Sequence, residues 1–347
     1  MESAMKIINK KFLVVLFVLF FASATFGRNV WKFMLTCDSR GYTTGVNEYI
    51  LGEIVNQGIM HEVDLMLFPG DLVGGILPYS QGTFLEQLTN WRNVVQPAVD
   101  AGIEIYPVRG NHDHDPDDSV AIWRDVFVDD YGLPGNGPDD EKYLTYSVKH
   151  KNALLVCFDQ YVHSHRNNQS WFDEQLAANE NVHIFAIGHE PAFKAMHSSC
   201  MDDYLEERDI FWQSLEDAGA RVYFSGHDHF FDHAVVDGDG DPNNDIHQYL
   251  VGTAGAPLYS WTIDYNGDNS IYTVENVHHA RVYGYLLVEV QGLQVTIKWM
   301  ERTGPDVYEA KDVWSYTAKA NLDLNYDGVV DMKDLWIISS HWLEAGE

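Results

Sequence analysis

The stretch Phe224-Ser225-Gly226-His227-Asp228-His229 carries two imidazoles two residues apart, at the end of the apolar run Val222-Tyr223-Phe224. The run reads as a buried strand. A strand sets residues i and i+2 on one side, so His227 and His229 can reach a single site just past the strand end. One His-x-His pair carries little by itself, because imidazoles also serve loops as hydrogen-bonding groups. This pair has company. Apolar runs also end in Cys37-Asp38, in Pro69-Gly70-Asp71, in Gly110-Asn111-His112-Asp113 and in Gly188-His189-Glu190. Five strand-like runs that each finish on Asp, Asn or His point to one polar site at the carboxyl ends of strands, where open α/β sheets bind their ligands.

Outward from these blocks the first half alternates strand, motif loop and helix. Trp31 to Thr36, Val63 to Phe68, Ile103 to Val108 and Val182 to Ile187 read as strands, and Leu144 to Val148 with Ala153 to Phe158 as a hairpin. Ile50, Ile54 and Val55 suggest one helix, and Trp171, Phe172, Leu176 and Ala177 a short one. Phe84, Leu88, Trp91, Val95 and Ala98 make a helical face, in which Pro97 predicts a kink or an end near Val95. The second half is strand-rich, with Tyr249 to Val251, Tyr283 to Val290 and Val295 to Trp299. The pattern is that of a mixed α/β layered domain. The acidic loop Asp237 to Pro242 reads as a solvated surface loop. Residues 304–320 read as a linker between a body at 29–303 and a tail at 321–347.

The 347 residues suffice for a sizeable core, and 46% hydrophobic content with 13% aromatics is a globular composition. A formal charge of -30 argues against nucleic acid or an anionic membrane as a partner, since both would be repelled. Lys6, Lys10 and Lys11 precede an apolar run from Phe12 to Phe21, followed by Ala22, Ser23 and Ala24. That is the pattern of a secretory signal peptide at 1–24, cleaved after Ala24 or Gly27. It predicts a secreted, extracellular, periplasmic or cell-surface protein with no membrane span after cleavage. The run is shorter than the ~20 residues a spanning helix needs. Cys37, Cys157 and Cys200 do not make a disulfide framework, and no disulfide is expected.

Carboxylate, amide oxygen and imidazole together suit a borderline divalent metal better than a thiolate or all-oxygen site. The order Asp38, Gly70-Asp71, Gly110-Asn111-His112-Asp113, Gly188-His189, Gly226-His227-Asp228-His229 resembles the calcineurin-like metallophosphoesterases over about residues 30 to 303. The resemblance implies a four-layer αββα sandwich of two mixed β-sheets. It implies two divalent transition metals (Mn, Fe or Zn), one held by Asp38, Asp71 and His229, the other by Asp71, Asn111, His189 and His227, with Asp71 shared. It assigns His112 to a phosphate oxygen or to protonation of the departing alkoxide, with Asp113 or Asp71 orienting it. The activity implied is hydrolysis of phosphomonoesters or phosphodiesters through a metal-bridging hydroxide. The family's specificity loops correspond to Gly74 to Thr83, Asp115 to Asp118 and His163 to Asn168.

One block departs from the family, which has Asp-x-His where this chain has Asp38-Ser39-Arg40. A guanidinium cannot replace an imidazole on a metal. Either water completes the first metal site or that site is the weaker one, and Arg40 is free to present its fork to a phosphate oxygen. The purple acid phosphatases need Tyr three residues after the shared Asp, and Gly74 stands there, which disfavours that subgroup.

In the tail, Asp323, Asn325, Asp327, Asp331 and Asp334 fall on the oxygen-ligand positions of a calcium loop. Gly328 sits at the turn position, and Val329 offers its carbonyl. Leu335, Ile338, Trp342 and Leu343 follow at helical spacing. This calcium-loop–helix segment resembles one repeat of a dockerin domain, which has two. The resemblance implies bound Ca2+ and a cohesin-like or cell-surface partner. The competing class is a non-catalytic phosphate-binding or calcium-dependent surface-docking protein on the same fold.

Overall fold

The computed structural model describes residues 30–318 apart from 115–116, 261–262, 264 and 266–267. The signal-peptide pattern and the calcium loop at 323–334 lie outside the described residues. The chain starts with β1 (Val30–Leu35), α1 (Glu48–His61), β2 (Leu65–Pro69), α2 (Phe84–Asp100) and β3 (Glu104–Val108). A single turn, α3 (Asn111–His114), and α4 (Ser119–Tyr131) lead to the hairpin β4 (Tyr146–His150) and β5 (Ala153–Cys157). Then come α5 (Gln169–Ala177), β6 (His183–Ile187), α6 (Leu205–Asp217), β7 (Val222–Ser225), β8 (Phe231–Asp237), β9 (Ile246–Val251) and β10 (Thr273–Ala280). The last strands are β11 (Gly284–Gln291), β12 (Gln294–Gly304) and β13 (Val307–Thr317).

Among the described residues these strands form two sheets, ordered β13-β12-β11-β1-β2-β3 and β10-β8-β9-β7-β6-β5-β4. β1, β2 and β3 run parallel, as do β5, β6, β7 and β9, and antiparallel strands flank both sets. The sheets pack face to face through aromatic contacts: Phe33 meets Phe185 edge-on at 5.1 Å, and Phe231 stacks on Trp299 at 4.1 Å. Leu51, Ile54, Leu88 and Trp91 of α1 and α2 are buried in the core that includes the first sheet. Phe172, Phe211, Trp212 and Leu215 of α5 and α6 are buried in a separate core on the outer face of the second. Each fully buried side chain of this size stabilises the fold by about 1.5–3 kcal/mol. The architecture is the four-layer sandwich of two mixed sheets that the resemblance implied. Cys37, Cys157 and Cys200 are buried free thiols.

Two expectations are corrected. The helix with Pro97 does not end near Val95 but runs on to Asp100. Its final turn is anchored by the buried Ala98, whose carbonyl accepts from Ala101 N and Ile103 N at 3.1 and 3.0 Å. Those bonds and that burial offset the donor that proline lacks. The expected linker is not a linker, because 307–317 form β13, paired with β12 along its length. Tyr308, Asp312, Trp314 and Tyr316 turn inward while the residues beside them are exposed, with a register shift between Ala310 and Asp312. That shift and the polar Asp312 concealed the period-two pattern.

Candidate metal centre

The carboxyl ends of β1, β2 and β3 meet those of β6, β7 and β9 where the sheets abut, and the backbone joins them there: Cys37 N donates to Val251 O at 3.3 Å. Asp38, Asp71, Asn111, His189, His227 and His229 each follow closely on one of these strands. Asp38, Asp71 and His227 have φ of 60°, 51° and 74°. Non-glycine residues rarely adopt that region, at a cost of about 1–3 kcal/mol each. Neighbours hold them in place. Asp38 N donates to Gly70 O at 3.1 Å, His227 N to Asp38 Oδ2 at 3.0 Å, and His112 N to Asp71 Oδ1 at 3.0 Å. Gly70 has φ +91°, and a Cβ there would strike the His189 ring.

The donor set around Asn111 fits a metal. His189 Nδ1 donates to Pro69 O at 2.7 Å, which leaves a lone pair on Nε2. That nitrogen lies 3.3 Å from Asn111 Oδ1 and 3.5 Å from Asp71 Oδ1. His227 Nδ1 is 3.1 Å from the same amide oxygen, and its Nε2 faces Ser199 Oγ at 3.4 Å. When both imidazoles are neutral and the His227 proton sits on Nε2, facing Ser199, Asn111 Oδ1 has an imidazole lone pair on either side. The adjacent separations of 3.1, 3.3 and 3.5 Å are those of neighbouring ligands on an ion with bonds of about 2.0–2.2 Å. Burial pushes His227 down to about 4, which keeps it neutral. Burial alone would raise Asp38 and Asp71. The His229 ring beside Asp38, and His112 and His189 beside Asp71, outweigh it and hold both below the usual carboxylate range.

The group Asp38, Asp71 and His229 is also assembled, buried, with ligand atoms within 4.8 Å of one another. Asp38 Oδ1 is buried there without a donor. Arg40, however, lies among these residues. Its Nη2 is 3.1 Å from His229 Nε2 and its Nε 3.6 Å from Asp71 Oδ2. Nη1 donates to Tyr79 Oη at 2.8 Å, and Nη2 to Tyr259 Oη at 3.4 Å. Tyr259 in turn stacks on His229 at 4.2 Å.

His112 lies at the same centre, its Nε2 3.8 Å from Asp71 Oδ2 and its side chain 14% exposed. Asp113 does not join it. Its carboxylate is fully buried and accepts from Leu72 N, Val73 N and Gly110 N at 3.1, 3.3 and 2.9 Å. Asp113 was expected to orient His112; its carboxylate oxygens are engaged by three backbone amides, and it ties the Asp71 loop to the Asn111 loop. Burial and the charge of Asp71 push its carboxyl up to about 7, against the pull of those amides.

His197 escaped the sequence reading. Its Nδ1 bonds the buried Asp228, and its ring lies 4.9 Å from His227 and 5.5 Å from Tyr259. Its hydrogen bond to the Asp228 carboxylate raises its pKa. Tyr79 and Tyr259 were missed as well. None of the three has a local pattern, since their partners lie far off in sequence.

A family model described as calcineurin-like phosphoesterase matches residues 44–231. No curated protein matches the sequence. Among solved structures, the purple acid phosphatase PPD1 of yellow lupin (Lupinus luteus) is similar with a TM-score of 0.63 at 10% identity, over 84% of this chain and 54% of that one. This chain thus spans about half the length of the lupin protein. GAP50, the anchor in the inner membrane complex of Plasmodium, is similar with a TM-score of 0.57 at 16% identity, over 84% and 89%. A dimetal phosphatase from Danio rerio is similar with a TM-score of 0.52 at 11% identity, over 83% and 99%. At these identities the likeness is one of fold.

Proposed function

The chain belongs to the calcineurin-like phosphoesterase family, and from that premise we propose that it is a secreted enzyme that hydrolyses phosphate esters with a divalent transition metal. The observation that carries this reading is the gathering of Asp71, Asn111, His189 and His227, with Asp38 and His229 alongside, beside His112. A metal held there supplies positive charge to a phosphoryl oxygen and lowers the pKa of a water. Around it, His112 faces Asp71 and is placed to give a proton to the leaving alkoxide. His197, steered by Asp228, lines the same centre. Arg40 adds a fixed positive charge where negative charge grows on the phosphoryl group. Of the two ions that the resemblance implies, the one at Asn111 has Asp71, Asn111, His189 and His227 as donors. The other has Asp38, Asp71 and His229 with Arg40 among them.

Gly74 supports a colourless centre rather than a purple one. No tyrosine follows Asp71 at that spacing, and a Cβ at 74 would collide with Ser80. Export through residues 1–24 and calcium binding at Asp323, Asn325, Asp327, Val329, Asp331 and Asp334 complete the proposal, with a cohesin-like or cell-surface partner for the tail. Among the described residues no helix is long and apolar enough to cross a membrane.

The test is hydrolysis of an aryl phosphomonoester and an aryl phosphodiester by protein stripped with chelator and reloaded with Mn, Fe or Zn. Activity that disappears with chelation and returns with one of these ions supports the reading. Protein that stays inactive with every ion but still binds phosphate favours the non-catalytic class, to which the altered block at Arg40 and the fold shared with an anchor protein lend weight. Calorimetric titration with calcium, comparing the full chain with one lacking 321–347, tests the tail.

A further inference from the structure

We infer that the Arg40 guanidinium takes the place of the first metal ion, so that the centre holds one divalent ion rather than two. The inference rests on the metal-dependent reading above and concerns the number of ions. His229 Nδ1 donates to Pro257 O at 2.9 Å, so the ring has one lone pair, on Nε2. Arg40 Nη2 directs an N–H at that nitrogen from 3.1 Å. A lone pair that accepts this hydrogen bond is not available to a metal. The contrast with the neighbouring position is direct. At Asn111 Oδ1 the flanking imidazoles can present lone pairs; here the guanidinium can only donate, so a hydrogen lies between it and His229 Nε2.

The arginine is built in rather than draped over the site. It is 7% exposed, and its backbone is fixed by a bridge to Val46, with Gly41 N bonded to Gly45 O at 3.0 Å. The preceding residue is pinned as well, Ser39 Oγ donating to Leu72 O at 2.8 Å and accepting from Trp91 Nε1 at 3.1 Å. Tyr79 and Tyr259 hold the fork from two further segments. The guanidinium also faces the carboxylate charge that a metal would otherwise neutralise, Asp71 directly at 3.6 Å and Asp38 through the shared neighbour His229, whose Nε2 is 3.4 Å from Asp38 Oδ1. Asp38 Oδ1 is buried at this position without a hydrogen-bond donor. Without the His229 lone pair, two carboxylate oxygens beside a permanent cation make a poor transition-metal site. Arginine stays protonated at all accessible pH, so the substitution is permanent.

The experiment counts ions. Full-length protein is stripped, given excess calcium to saturate the C-terminal loop, and titrated with Mn2+, with elemental analysis after desalting. The wild type is expected to hold one Mn2+ per chain with the electron paramagnetic resonance spectrum of an isolated ion. Arg40→His is expected to hold two, with the spectrum of a coupled pair. Asp38→Asn and His229→Ala are expected to keep their single ion, and His189→Ala to lose it. Two coupled ions in the wild type would overturn the inference while leaving the metal-dependent reading intact. A wild type that binds neither Mn2+ nor Fe2+ nor Zn2+ would overturn both. The wild-type count decides the matter even where a variant fails to fold.

Discussion

Asp312 Oδ2, on β13, lies 2.6 Å from Nδ1 of His233, on β8, and so links the edge of the first sheet to the second. The same ring reaches His247 on β9 through Nε2 at 2.7 Å, and Trp314 stacks on His247 at 3.6 Å. The eleven residues of β13 therefore belong to the body of the fold. Asp312→Ala should lower stability by about 1.5–3 kcal/mol, the range for a hydrogen bond to a charged group. A chain cut at residue 303 should lose more, because β12 then becomes an uncovered edge. Urea unfolding curves measure both, and a cut chain as stable as the full one would restore the linker.

Burial, reinforced by the neighbouring His233, pushes His247 down to about 2. The ring stays neutral in the folded protein down to that pH, while in the unfolded chain it takes up a proton near 6.5. Its contribution is therefore complete above about pH 6.5 and is lost on acidification, with a slope approaching about 1.4 kcal/mol per pH unit. His247→Asn, which keeps a hydrogen-bonding amide beside His233, should flatten the slope of unfolding free energy between pH 7 and 5. An unchanged slope would assign the acid sensitivity elsewhere.

On the proposed reading His112 protonates the leaving group, so the effect of its removal should depend on what leaves. His112→Ala should slow hydrolysis of an alkyl phosphate by about 10²–10⁴-fold, the usual span for general acid catalysis. The loss should be much smaller for a para-nitrophenyl ester, whose anion departs without a proton. Equal losses on the two substrates would mean that His112 binds phosphate instead.

Asp113→Ala should act through the loops it ties together. It leaves the buried amides of Leu72, Val73 and Gly110 without an acceptor, at about 1–3 kcal/mol for each buried group left unsatisfied. Thermal unfolding should show the loss, and metal affinity should fall with it because Asp71 and Asn111 are no longer held in register. A drop in turnover with unchanged melting temperature and metal affinity would return Asp113 to the chemistry.

What could be read from the residues alone was whatever is local in sequence. Strand periodicity and a polar residue directly after each strand located Asp38, Asp71, Asn111, His189, His227 and His229, because the pleat and the strand end decide where such a side chain goes. The parallel arrangement then brings the strand ends together, which is why the layered α/β class and the centre at the carboxyl ends were both legible.

Only tertiary structure decided the rest, since the competing forces there come from distant parts of the chain. Pro97 stays helical because Ala98 is buried, which no local propensity reveals. Residues 307–317 become a strand because β12 supplies hydrogen bonds and His233 receives Asp312. Arg40 looked free to meet phosphate until Tyr79, His229 and Tyr259 closed on it from 39, 189 and 219 residues away. A side chain's identity states which bonds it can make, but a guanidinium beside a carboxylate and an imidazole becomes a fixed cation only when folding removes the water that would otherwise compete for all three.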